Sequence, residues 1–201
     1  MRSLTALALA LPLLGACAGD GGTSSLNVAA TSPESFGSLP EVTLVDATGA
    51  EVSPARLKGS TWALFCLTRP LPMQTAMLLE RLDEVHGVLG SSDVHLVGLT
   101  MDPVTDTPEA LAAFATERGM DVPSRHLWTG DEAQVARLLH GAYRSALVGA
   151  TGDELERQMS LAFEARVVVV DAAGQVRGTY DLWTDSGDAA LVERLKAVAR
   201  E

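Results

Sequence analysis

Two apolar runs of seven residues fix the class of fold open to this chain. Residues 61–67 (TWALFCL) and 94–100 (VHLVGLT) are almost wholly apolar. Runs this short, rich in branched and aromatic side chains, read as strands covered on both faces. Between them, residues 74–88 carry Met77, Leu78, Leu82 and Val85 at helical spacing, with charges in between. A buried strand, an amphipathic helix and a second buried strand make a crossover unit. Such a unit requires a sheet with helices on its faces.

The flanking segments extend that sheet. Residues 41–46 (EVTLVD) alternate and turn at residues 47–50 into Glu51-Val52, an N-terminal hairpin. Ser53-Pro54 opens a short helical turn that ends at Lys58-Gly59. Gly87 and Gly90 weaken or end the first helix. Thr107-Pro108-Glu109 is a helix start, a capping hydroxyl followed by proline at the first helical position. That helix runs to Arg118-Gly119. Residues 126–128 (HLW) predict a short strand and residues 131–139 a helix capped by Thr129, Gly130 or Asp131. Residues 141–160 show no clear period and read as an insertion. Residues 166–171 (RVVVVD), a turn at residues 172–174 and residues 176–180 predict an antiparallel pair, and residues 188–200 a closing helix with Leu191, Leu195 and Val198 on one face. The class is α/β, a mixed central sheet with helices on both faces and an N-terminal hairpin.

The N-terminus reads as an export signal. Arg2 gives a positive start, and residues 4–14 are an apolar run too short to span a bilayer as a mature helix. Leu14-Gly15-Ala16-Cys17 resembles a bacterial lipobox, so residues 1–16 are expected to be a lipoprotein signal peptide and Cys17 the lipidated residue. Ala18 gives no inner-membrane retention signal, which leaves inner or outer membrane open. Residues 17–39, rich in Gly, Ser, Thr and Ala, form a flexible, lipid-anchored tether. Residues 40–201 have the size of one domain. The expected location is the bacterial cell envelope, facing the periplasm. The formal net charge is −11, and removal of residues 1–16 takes away only Arg2, giving −12. That excludes nucleic acid as a natural partner and opposes binding to anionic lipid.

Cysteine usage narrows the chemistry. The chain has Cys17 and Cys66. With Cys17 acylated, Cys66 has no partner for an intramolecular disulfide. In an apolar strand it packs as a small apolar residue; exposed at the strand end, it would act as a single thiol, with Arg69 near enough in sequence to help. Met73 and Met77, four apart, share one side of a helix start. Thioethers bind copper(I), but such a pair also serves as core packing. His86, His95, His126 and His140 are scattered with no pair at ligand spacing, and His140 reads as a surface residue at a helix end. There is no Gly-x-Ser-x-Gly, P-loop or Cys-x-x-Cys.

Residues 97–119 (VGLTMDPVTDTPEALAAFATERG) resemble the central βα unit of the SCO (SenC/PrrC) family, the thioredoxin-fold copper chaperones of cytochrome c oxidase assembly. The likeness is strongest at Asp102-Pro103, at Asp106-Thr107-Pro108-Glu109, at Trp128-Thr129-Gly130, and from Val170-Asp171 through Gly174 and Arg177-Gly178 to Tyr180. It implies a thioredoxin-like fold over residues 40–200. It also implies a copper site of two cysteines in the loop after the first central strand and a histidine before the late strand. Counting from Thr68 without gaps puts those cysteines at Pro70 and Gln74, and counting back from Val170-Asp171 puts the histidine at Phe163. Proline and phenylalanine ligate no metal, and glutamine is a poor ligand for copper(I). Asp102 and Asp106 could form an acidic cluster beside the site, or act as turn and helix-start residues.

Three readings follow. The first is an anchored binding or assembly factor with a degenerate copper site and no cofactor, not an enzyme, whose partner is an envelope protein, a cytochrome c oxidase assembly component among the candidates. The second is an active copper chaperone whose ligands moved to Cys66, Met73 and Met77. The third is a single-thiol redox enzyme using Cys66.

Overall fold

The computed structural model describes residues 35–69, 73–90, 94–146 and 166–201. The expected signal peptide, Cys17, Pro70 and Phe163 lie outside these residues, as do residues 17–34 of the expected tether.

Seven strands form one sheet. In chain order they are β1 (Leu44–Asp46), β2 (Glu51–Val52), β3 (Thr61–Leu67), β4 (Val94–Thr100), β5 (Arg125–Thr129), β6 (Arg166–Val170) and β7 (Val176–Asp181). Their spatial order is β2-β1-β5-β4-β3-β6-β7. β3, β4 and β5 are parallel, and the remaining strands join antiparallel on either side. All seven residues of β3 are buried, as its composition demands of a strand in mid-sheet. A 3-10 turn (Pro54–Leu57) links β2 to β3.

Among the described residues, α1 (Met73–Leu89), α2 (Pro108–Glu117) and α4 (Asp185–Val198) cover one face of the sheet, and α3 (Glu132–Ala146) covers the other. Residue parity assigns the strands' side chains. Trp62, Leu64, Cys66, Val97, Leu99 and Trp128 pack under α3 with Leu138, Ala142 and Tyr143. Phe65, Leu67, Leu96, Leu127, Val167 and Val169 pack under α1, α2 and α4. Burial of each large apolar side chain contributes about 1.5–3 kcal/mol. Gly98 is required on that second face. A Cβ there would lie 2.8 Å from the Phe65 ring and 2.9 Å from Leu127.

The helix ends follow their local chemistry. Thr107 caps α2 by accepting from the Ala110 N–H at 3.3 Å, with proline in the first turn. Asp131 caps α3 through the Ala133 and Gln134 N–H groups. Gly90, at φ +71°, follows the last residue of α1.

Four expectations need correction. Met77 is not in the buried stripe of α1; Leu78, Leu79, Leu82 and Val85 form it, with Thr75. α3 continues to Ala146, so residues 141–146 are helix and not insertion, and Ala142 and Tyr143 are fully buried. His140 is therefore not at a helix end. α4 begins three residues earlier than expected, because Thr184 caps it by accepting from the Gly187 N–H at 3.1 Å.

Candidate functional site

The C-terminal ends of β3 and β4 meet at one pole of the sheet. Met101 donates its N–H to the Leu67 carbonyl at 2.9 Å, which prolongs the pairing past Thr100. The chain then turns. Asp102 stays outside, accepting from the Thr105 N–H at 3.2 Å. Hydrogen bonds from the Thr105 side chain, then its N–H, lower the Asp102 pKa. Asp106 turns inward and is fully buried.

Burial of a carboxylate requires partners. Arg69, from the loop after β3, donates through Nε to Asp106 at 2.7 Å, and the Thr100 hydroxyl donates to the other carboxylate oxygen. Arg69 also reaches the Ala110 carbonyl at 3.3 Å and lies 5.6 Å above the Phe114 ring. Arg69 thus serves Asp106 and not Cys66. Asp102 and Asp106 share no acidic cluster: one is a turn residue, the other half of a buried ion pair.

Cys66 lies one residue short of the end of β3, on the α3 face, at 2 % exposure. Its thiol donates to the Tyr143 hydroxyl at 3.6 Å, and that hydroxyl donates to the Arg166 carbonyl at 2.7 Å. Burial pushes the Cys66 pKa up to about 12, against a smaller lowering by the Tyr143 hydrogen bond. Burial likewise raises Tyr143 well above the usual phenol value.

The other expected ligand positions fall elsewhere. Gln74 is exposed in the first turn of α1. Met73 and Met77 are 73 % and 40 % exposed. They belong to a helix on the face opposite Cys66, so the structure does not bring the three together. Met101, Val104 and Trp183 are also exposed around this pole. A cleft of about 700 Å³, lined in part by Pro40, Pro54, Lys58 and Arg137, opens at the opposite pole.

The histidines are less scattered than their spacing suggests. His86 Nε2 lies 2.8 Å from the Ser124 hydroxyl. His95 and His126 are 3.0 Å apart across β4 and β5. Sequence spacing missed this pair because the partners are 31 residues apart and only the parallel register of β4 with β5 unites them. No group of three or more His, Cys, Asp or Glu among the described residues could hold a metal ion.

The crossover order, the hairpin and the helices on both faces define a thioredoxin-like fold. The SCO1/SenC family model matches residues 37–200, and the chain belongs to that family. A comparison with curated protein sequences finds no match. Among solved structures, copper-bound ScoI of Bradyrhizobium japonicum is similar at 20% identity, with 80% of this chain and 98% of that one covered and a TM-score of 0.58. A SCO1/SenC family lipoprotein from Bacillus anthracis is similar at 17% identity, with 82% and 96% covered and a TM-score of 0.65. Copper-bound yeast Sco1 is similar at 17% identity, with 85% and 96% covered and a TM-score of 0.62. At these identities the likeness to the solved structures is one of fold.

Proposed function

We propose that this chain is an envelope-anchored SCO-family protein without the family's copper centre, acting through protein contacts as a binding or assembly factor in cytochrome c oxidase biogenesis. The observation that carries this reading is the fate of the thiols. A site built on two thiolates cannot be assembled from Cys66, which is buried, bonded to Tyr143 and held protonated. The chain's other cysteine is Cys17, in the expected lipobox. The loop after β3, where the family carries its cysteines, contributes Arg69 to a buried ion pair. A single-thiol redox activity loses its support for the same reason.

Anchoring rests on the apolar run at residues 4–14 and on Leu14-Gly15-Ala16-Cys17. No helix among the described residues is long and apolar enough to cross a membrane. The Bacillus anthracis neighbour is itself described as a lipoprotein. Cys17→Ser abolishes metabolic labelling with palmitate if this reading is right.

The test of the missing centre is copper(I) competition. The full chain carrying Cys17→Ser, reduced, is titrated against a chelator. The expected result is no competitive binding. Sub-picomolar binding, a free energy of about −16 kcal/mol or stronger, overturns the proposal. Adding Pro70→Cys, Gln74→Cys and Phe163→His together is expected to restore the site. The exposure of Met73 and Met77 favours one second reading, a copper chaperone with thioether ligands. It predicts copper(I) binding that Met73→Leu and Met77→Leu remove and Cys66→Ala does not.

A further inference from the structure

His95 and His126 lie outside the pole described above and take no part in the proposed function. Each is the second residue of its strand, β4 and β5, at the opposite pole of the sheet. Both share residue parity, and so a face of the sheet, with Val97, Leu99 and Trp128, which pack under α3, and both are half-buried. Nδ1 of His95 faces Nε2 of His126 at 3.0 Å, with ring centroids 5.1 Å apart and planes tilted by 31°. The two facing nitrogens share one proton, which either ring can carry.

The separation has a consequence for coordination. A metal bonded to both facing nitrogens at about 2.0–2.1 Å subtends an angle of ~95° across 3.0 Å. That angle matches adjacent corners of a square-planar or tetragonal ion. A tetrahedral ion needs a separation of ~3.3 Å. Imidazoles in such positions suit copper(II) and nickel(II), and copper(II) stands highest in the divalent affinity order. The charged groups nearby are Asp46 and Arg56, paired with each other at 3.0 Å, and both influence His126.

We propose that His95 and His126 form a two-imidazole chelate for a late divalent transition metal of the copper(II) and nickel(II) kind. Water completes the coordination, since no third His, Cys, Asp or Glu joins them among the described residues. Metal entry displaces the proton between the facing nitrogens; the ring that gives it up takes it back on its other nitrogen through solvent, and no electron moves.

The test uses the full chain carrying Cys17→Ser with one equivalent of copper(II) at pH 7.4. Electron paramagnetic resonance is expected to show an axial signal with two nitrogen couplings. His95→Gln and His126→Gln are each expected to weaken binding by about tenfold or more, measured by glycine competition. His86→Gln and His140→Gln are expected to leave it unchanged. Binding that survives both variants of the pair, or no binding by the parent chain, overturns the proposal. If a variant fails to fold by near-ultraviolet circular dichroism, imidazole nuclear magnetic resonance of the parent chain decides. Copper(II) broadening His95 and His126 first supports the chelate; broadening elsewhere first refutes it. The copper(I) result at the other pole does not enter either outcome.

Discussion

Replacing Asp106 by alanine tests the account of the site most directly. Its carboxylate is fully buried and accepts from Arg69 and Thr100. Removing it strands a guanidinium and a buried hydroxyl. Breaking one partner out of a buried ion pair costs about 3–5 kcal/mol. The Arg69 side chain is 20% exposed and regains some water, which lowers the expected cost to about 2–4 kcal/mol. For a domain of this size, a loss of about 3 kcal/mol lowers Tm by roughly 6–12 °C. The assay is urea unfolding followed by circular dichroism, with the slope m unchanged and the midpoint lowered. Arg69→Met and the double variant complete a cycle. The coupling energy is expected to be about 1.5–3 kcal/mol, because Arg69→Met leaves the carboxylate buried and unpaired. An Asp106→Ala cost below about 1 kcal/mol, with coupling near zero, would refute the reading of Arg69 and Asp106 as a buried ion pair on which the fold depends.

Native Cys66 is expected to resist iodoacetamide: with its pKa pushed up to about 12, roughly one thiol in ten thousand is ionised at pH 8, and modification should track global unfolding. Labelling of the folded protein at the rate of a free thiol would contradict its burial. Gly98→Ala should cost about 1–3 kcal/mol, since the added methyl meets Phe65 and Leu127 inside contact distance; Phe65→Leu in the same chain should recover part of it, and an additive result would show that the ring is not the obstacle. Stability should also fall between pH 7 and 5. Burial, then His95 and Arg56, push the His126 pKa down to about 4, and burial lowers His95 and His86. The unfolded chain, with an ordinary histidine pKa of about 6.5, therefore binds protons first as the pH drops. The full His126 shift would correspond to roughly 3 kcal/mol, and solvent access to the half-buried ring reduces this to about 1–2 kcal/mol, part of it already lost by pH 5. Urea midpoints that stay level over this range, or a slope that His126→Gln leaves undiminished, would contradict it.

The architecture was legible because it rests on local patterns. The all-apolar run of β3, the Thr107-Pro108 start of α2 and the turn at residues 172–174 each declare themselves within a few residues. The end of α3 did not. Val135, Leu138, Leu139, Ala142 and Tyr143 continue one helical stripe into residues 141–146, but Gly141 and the polar residues between them interrupt its reading. Packing against β6 and β7 makes them helical, and Gly141 is required there because a Cβ would lie 2.5 Å from Pro40. The site was legible only in part. The loss of thiols could be counted. That Arg69 pairs with Asp106 across 37 residues, or His95 with His126 across 31, is a fact of sheet register, and no one-dimensional spacing encodes it.

The entry of the chain into the domain sets which way the domain points. Phe36 donates to the Val176 carbonyl at 2.8 Å, and Val176 donates to the Gly37 carbonyl at 2.9 Å. Val176 pairs with Val170, and Val170 with Trp62, so this attachment sits level with the start of β3. The Arg69–Asp106 pole lies beyond the other end of that strand, ~20 Å away. A pull on the chain upstream of residue 35 is therefore delivered to the β6–β7 turn, and the Arg69–Asp106 pole is the end of the domain farthest from that point of load.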